Sequence, residues 1–313
     1  MGTDILCVVQ SVEDDDRRVR IVEMKVPRQA DLYRAIQLRR SVRRYDREPV
    51  DAITLTQVHE IVAGVRPLIP QNRFEAVARD DMVREDLISV LGAYGQLVTP
   101  PHALAPYVIS DLHPLEDLGF RVEQIAVRLA VLDIGSCFIG TLAAEDKARS
   151  HLGLPERARI GALLVFGRPA VAVGGRTINT LIRSVLGRND PPPVERFFFH
   201  DTFDNPAVPP EHLAPIVEAA RYAPSACNVQ PWRFLWHQGQ LSLFVTRDNP
   251  GYGSGARQQY RFCDGGICMA NLSLAMEAFG MEGQWVMWDG KERRLPEHPA
   301  DLQPLASLVI EEG

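Results

Sequence analysis

One long apolar helix pattern occurs twice in this chain, and that repetition limits the fold more than any other feature. The first string, DLGFRVEQIAVRLAVLDIGSCF, runs from Asp117 to Phe138; the second, DGGICMANLSLAMEAFGMEGQW, runs from Asp264 to Trp285. The strings are equally long, and each has Asp first and Gly third. Val122, Ile125, Leu129 and Leu132 in one answer to Met269, Leu272, Met276 and Phe279 in the other. Apolar residues at this spacing line one face of a helix, so each string reads as a long buried helix. Each is followed by a short apolar strand, Ala162–Phe166 and Ala306–Ile310.

A weaker pair of segments supports the same division. Thr54–Arg66 and His212–Tyr222 both read as helices leading into loops that contain proline. Between the halves lies Gly187–Glu195 (GRNDPPPVE), whose prolines disfavour regular structure and suit a linker. The pattern is helix, loop, strand, long helix, strand, repeated once: an α+β domain duplicated in tandem. The bland alternative is two unrelated helices that share a generic amphipathic pattern. The expected boundaries are an N-terminal hairpin extension over 1–30, a first half over 31–190 and a second half over 191–313. Within the extension, Ile5–Gln10 and Val19–Val26 read as strands joined by a turn at Glu13–Asp16.

Composition narrows the function. With 313 residues, 46% hydrophobic and 24% charged, the chain can bury a large core without staples. Its net charge of −6 argues against nucleic-acid binding, and any phosphate site has to be built locally. No apolar run reaches membrane-spanning length. The acidic start (MGTDILCVVQSVEDDD) fits neither a signal peptide nor a transit peptide. The five cysteines are odd in number and form no CxxC pair, which suits a reducing cytoplasm rather than a disulfide framework or structural zinc. The eight histidines form no metal constellation, so no metal is expected.

Two strings carry chemistry. Leu38–Tyr45 (LRRSVRRY) sets Arg39, Arg40, Arg43 and Arg44 around Ser41. Arginine offers a planar fork of donors that matches phosphate oxygens, and serine adds a hydroxyl. Charge runs are more often solvated faces, and these arginines could instead pair with Asp31, Asp46 or Glu48. Ala223–Phe234 (APSACNVQPWRF) combines turn formers with small residues that admit a flat ring and with Asn and Gln amides that can meet a heterocycle. The alternative there is an ordinary helix-to-strand loop with a tryptophan anchor. Cys227 lies within this loop and reads as a small packing residue rather than a redox thiol.

Together the two strings resemble the nitroreductase family, which opens on RRSVR and carries aPSaxNxQPWxF after its next helix. A third match is DIGSCFIGTLAAEDKARSHLGLPERARIGALLVFGRPA, Asp133–Ala170, against the family's GLgsCwiGxx…LglPexxr…aLLxxGxPa. The resemblance covers most of residues 33–310. It implies a nitroreductase-like α+β fold, here two tandem copies forming a pseudo-dimer in one chain, and FMN as cofactor. It further implies that Arg39, Ser41 and Arg43 hold the phosphate within a basic run that includes Arg40. The backbone of Phe138, Ile139, Gly140 and Thr141 would lie along the flavin near N5. Pro224, Ser225, Ala226 and Asn228 would pack on the ring from the other half. Arg196, with Arg188 as its rival, would be a further phosphate ligand, and Gly95 and Gln96 would approach the pyrimidine edge.

The departure from the family is that each half keeps one string. The first half has RPLIPQN (Arg66–Asn72) where the ring loop belongs. The second has RFFFHDTF (Arg196–Phe203), which aligns Phe197, Phe199 and Asp201 with Arg39, Ser41 and Arg43. One composite site is therefore expected in a chain that is a monomer by need and cytoplasmic. The implied activity is NAD(P)H-driven, two-electron, ping-pong reduction of a small molecule such as a nitroaromatic or quinone, with no catalytic side chain. The rival readings are an FMN storage or sensor protein with little turnover, a flavin-dependent dehydrogenase or dehalogenase, and a cofactor-free scaffold.

Overall fold

The computed structural model describes residues 29–46, 48–79, 98, 100–170, 191–289 and 296–310. The expected N-terminal hairpin, Gly95, Gln96 and Arg188 lie outside the described residues. So do residues 187–190 of the linker, and with them the boundary at 190.

The first half begins with α1 (Gln29–Leu38) and α2 (Ala52–Ala63). It continues through β1 (Arg73–Ala78), β2 (His102–Ile109), the long helix α3 (Pro114–Val131), β3 (Gly135–Gly140), α4 (Glu145–Leu152) and β4 (Ala162–Gly167). The second half contains β5 (Phe198–His200), α5 (Ala214–Ala220), β6 (Trp232–His237), β7 (Gln240–Thr246), the long helix α6 (Tyr260–Phe279), β8 (Gly283–Met287) and β9 (Leu302–Ile310). The first sheet has the order β1-β2-β4-β3, and the second repeats it as β6-β7-β9-β8 with β5 added outside β6. All shared pairings are antiparallel; β5 runs parallel to β6. The order and direction of the strands make the two halves copies of one α+β unit.

The repeated strings begin as helices, but the helices stop sooner than the apolar pattern suggests. Asp133 (φ 58°) and Gly280 (φ 67°) occupy matching positions in the left-handed region, which breaks the helix and turns the chain into β3 and β8. The strings' last residues, Gly135–Phe138 and Gly283–Trp285, are therefore strand. No helix among the described residues is long and apolar enough to cross a membrane.

The two long helices pack on each other, and the repeated glycines explain how closely. A Cβ on Gly119 would lie 3.0 Å from the carbonyl carbon of Cys263 and 3.1 Å from Ile267 N, with the Cys263 oxygen closer still. A Cβ on Gly266 would lie 2.8 Å from the Glu116 carbonyl carbon, its oxygen again closer. Each helix thus uses its repeated glycine to admit the other's backbone. Ile125 and Leu129 of α3 and Met269 and Leu272 of α6 share one core with Phe197, Phe198, Trp232 and Leu308. The halves are folded around a common interior and bury each other's apolar faces.

Candidate functional site

The repeated aspartates lie at the start of this crossing, and each fixes the loop that leads into the first of its half's four repeated strands, β1 or β6. Asp117 accepts hydrogen bonds from Leu68 N (2.8 Å) and Ile69 N (3.1 Å). Asp264 accepts from Ala226 N (3.1 and 3.0 Å to its two oxygens) and from the Tyr252 hydroxyl (2.7 Å). In the first half Arg121 neutralises Asp117 through a buried ion pair at 3.1 Å. In the second half no cation among the described residues contributes at Asp264, and burial pushes its carboxyl up to about 7 against the lowering effect of its hydrogen bonds.

The loop that Asp264 holds is the one with the ring-binding string. Ser225 Oγ accepts from Gln230 N at 2.9 Å, and Asn228 N donates to Ser225 O at 3.0 Å. Cys227, Asn228 and Gln230 have φ of 52°, 55° and 51°, a left-handed cluster of side-chain-bearing residues that needs external support. Pro224, Ser225 and Ala226 are half-buried, while Cys227 and Asn228 are exposed.

This loop meets the first half through Tyr260. Leu142 N donates to the Tyr260 hydroxyl at 3.1 Å, and a Cβ on Gly140 would collide with the same ring. Tyr260 in turn interacts with Asp264 and Cys227. Burial pushes the Tyr260 phenol up, so it stays protonated; its oxygen accepts from Leu142. Gly140, at the end of β3, is exposed; Phe138 is half-buried, and Ile139 and Thr141 are buried. The turn after β3 and the ring loop are therefore neighbours.

The basic string lies at the other end of β3. Ser41 bridges Ser136, and Val42 N donates to Ser136 O at 2.9 Å. Arg40 donates to Gln37 O and Arg39 O, and its guanidinium sits 5.9 Å from the centre of the Tyr222 ring, beside the second half's loop. Arg43 is half-buried and Arg44 exposed. Arg39 is not the solvated helix end a charge run suggests. Its side chain is 6% exposed and lies 3.4 Å from a carboxylate oxygen of Glu123, which is 0% exposed. The contact is an ion pair without a hydrogen bond: Arg39 Nε and Nη1 and both Glu123 oxygens are enclosed and unbonded, as is Ser136 Oγ. Burial pushes Glu123 up to about 7, with Arg39 pulling it down. Arg39 Nε and Nη1 and Ser136 Oγ are orphaned donors in buried positions, of the kind an anionic ligand such as a phosphate would satisfy. Glu123 was not among the residues singled out in sequence, nor were Tyr252 and Tyr260.

One alignment fails. Ser41 lies beside β3, whereas Phe199 lies in β5 beside β6, which matches β1 at the opposite edge of the sheet. Phe197, Phe199 and Asp201 therefore do not answer to Arg39, Ser41 and Arg43. Phe197 and Phe198 are core residues, and Phe199 packs with Phe203. Arg196 is exposed on the turn before β5 and lies near Arg233 of β6. The segment just before it is held by Arg221, which donates to Pro191 O and Pro192 O.

The two buried carboxylates give a pH signature. Each has a folded pKa raised above its unfolded value, so the folded state binds the proton more tightly. Their contribution to stability is complete below the unfolded values near 4 and is lost as pH climbs towards 7. His113, pushed up by Glu116, acts in the same direction. The flavin-free protein should therefore melt at higher temperature at pH 5 than at pH 8, each carboxylate contributing up to about 1.4 kcal/mol per pH unit within its window. A melting temperature that rises over that interval would contradict the assignment.

Comparison with known proteins identifies the fold and the family. No curated protein matches the chain. Among solved structures, a "putative nitroreductase" of Thermotoga maritima shares 18% identity, with 95% of this chain and 99% of that one covered and a TM-score of 0.54, which establishes a common fold. An FMN-dependent nitroreductase of Clostridium difficile (17% identity, TM-score 0.37) aligns over 50% of this chain and 98% of its own. A nitroreductase with bound FMN from Bacteroides fragilis (22% identity, TM-score 0.39) aligns over 47% and 93%. The family model described as Putative TM nitroreductase matches residues 31–276, and the chain belongs to that family.

Proposed function

We propose that this protein is an FMN-dependent oxidoreductase that binds one FMN between its halves and passes two electrons from NADH or NADPH to a nitroaromatic, quinone or similar small acceptor. The observation that carries the reading is the meeting of two half-sites along β3: basic residues of one half at Ser136, and the ring loop of the other half at Gly140. From Ser136 to Gly140 is about 13 Å of strand, the scale of a mononucleotide. Two-electron redox chemistry is what FMN supplies when bound; the chain supplies binding and orientation.

Arg39, Ser41 and Arg43, within the run containing Arg40, are the proposed phosphate ligands, with Arg196 a further candidate. Gly140 is exposed at the end of β3 with the Tyr260 ring packed against its Cα, and the backbone from Phe138 to Thr141 is the proposed edge along which the flavin lies, Thr141 N itself being bonded to Gly161 O. Pro224, Ser225, Ala226 and Asn228 form the opposing wall. Gln96 is the proposed residue at the pyrimidine edge. Tyr260 keeps its own proton beside Gly140 at every physiological pH, while its oxygen accepts from Leu142 N.

The proposed stoichiometry follows from the second half's counterpart of the Gly140 turn. Gly140 pairs with Ala162 in the first half as Met287 pairs with Ala306 in the second. Thr141 N donates to Gly161 O as Trp288 N donates to Leu305 O. Met287 and Trp288 thus stand where the live site has glycine and threonine, and the facing loop offers Leu68, Ile69 and Pro70. Purified protein should release close to one equivalent of FMN and never two, measured by absorbance against protein concentration. It should be monomeric while doing so, and its yellow colour should bleach on anaerobic addition of NAD(P)H. Absence of bleaching would remove the oxidoreductase reading, and two equivalents would remove the single-site reading.

A further inference from the structure

Glu123 is an acid in the wrong place for a phosphate site. It projects from the middle of α3 into the interior, fully buried, 3.4 Å from the first arginine of the basic string and without a hydrogen bond on either oxygen. A carboxylate there cancels the charge of Arg39 that a phosphate dianion needs, and two anions sharing one buried guanidinium repel strongly. The arrangement has a simple resolution. We propose that Glu123 is the resident counter-ion of the phosphate site, holding the Arg39 guanidinium in position in flavin-free protein and taking up one proton as the phosphate of FMN arrives. This rests on the flavin reading above and deepens it: Glu123 is a positioning residue that couples cofactor binding to pH.

The surroundings favour proton uptake at this group. Among the described residues, the ionisable groups that interact with Glu123 are Arg39, which follows α1, and Cys268 on α6. Cys268 is fully buried, and its pKa is raised well above the ordinary thiol value, so it stays neutral. Among the described residues of α2, β2 and β3, none contributes to the Glu123 shift. Burial has already brought the Glu123 carboxyl up to about 7, and a dianion beside it can only push it higher. Between the flavin-free and flavin-bound values, each bound FMN therefore carries one proton in with it.

The test is FMN affinity of flavin-free protein at pH 7, 8 and 9, read by quenching of flavin fluorescence. A phosphate monoester with a second pKa near 6 is already a dianion in this range, so its own titration does not intrude. Riboflavin, which lacks the phosphate, is the control, because it still meets Asp264's loop at the ring end. FMN binding should weaken roughly tenfold or more from pH 7 to pH 9, and riboflavin binding should stay nearly flat. Calorimetry at pH 8 in two buffers of different ionisation heat should show close to one proton taken up per FMN. Glu123→Gln should bind FMN with little pH dependence, more tightly than the natural protein at pH 9, and without proton uptake. PH-independent FMN binding with no proton uptake would overturn the proposal while leaving the flavin reading intact. So would equal pH dependence for riboflavin, or an unchanged dependence in Glu123→Gln. If that variant does not fold, proton uptake by the natural protein decides alone. No FMN binding at any pH would overturn the flavin reading and this inference with it.

Discussion

Gly266→Ala should lower the melting temperature by roughly 5 °C, a loss of about 3 kcal/mol. Intrinsic helix preference points the other way, since alanine in a helix interior is favoured over glycine by about 1 kcal/mol. Packing decides, because the new methyl group would meet the backbone of Glu116 rather than a side chain that can turn aside. α3 and α6 would have to separate, and with them the core that both halves share. Gly119→Ala should cost a similar amount through the backbone of Cys263. The double variant should cost less than the sum, because one separation of the helices relieves both collisions. Thermal melting monitored by circular dichroism checks all three. An unchanged or raised melting temperature for Gly266→Ala would show that the close crossing is not what holds the halves together.

Asp264→Ala is expected to cost roughly 3 kcal/mol and to abolish tight flavin binding. The substitution leaves Ala226 N and the Tyr252 hydroxyl buried without their acceptor. It also frees the loop in which Cys227, Asn228 and Gln230 are held in left-handed conformations. Removing a buried carboxylate has a favourable side, because its desolvation is already unfavourable. Asp264→Asn, which keeps an acceptor and loses the charge, should therefore be much milder. Hydrogen exchange of residues 225–230 separates loop release from global loss of stability. If Asp264→Ala protects that loop as well as the natural protein does, the anchoring role is wrong.

The duplication was legible because both copies kept the residues that the helix crossing requires. Asp at the first place and Gly at the third are what survive, the first to hold a loop and the second to admit a backbone. The two chemical strings were legible because arginines around a serine, and a proline–serine–asparagine turn, are dense local signals. Other features had no local signal. The strands β3 and β8 hide behind apolar residues that continue the helical pattern, and only the left-handed turns at Asp133 and Gly280 divide them. The alignment of Arg196–Phe203 with the basic string fails because chain order and spatial order differ there: the strand at Phe198–His200 joins the far edge of its sheet. Glu123 sits within a periodic helix like any other polar residue, and its significance comes entirely from Arg39, distant in sequence. Tyr260 likewise acquires a role only when Gly140 and Leu142 are brought against it.

The interlocked glycines also bear on how the protein is made. A ribosome releases α3 long before α6 has been synthesised, so the newborn first half carries an apolar helix with a notch at Gly119 and nothing to fill it. Folding in order of synthesis cannot complete that half alone. The matching surface on α6 is the same in every copy of the chain, so two neighbouring chains on one messenger can exchange second halves and close into an intertwined pair. What keeps the correct partner ahead is tethering: the proper α6 arrives on the same polypeptide, at a local concentration no neighbour can match.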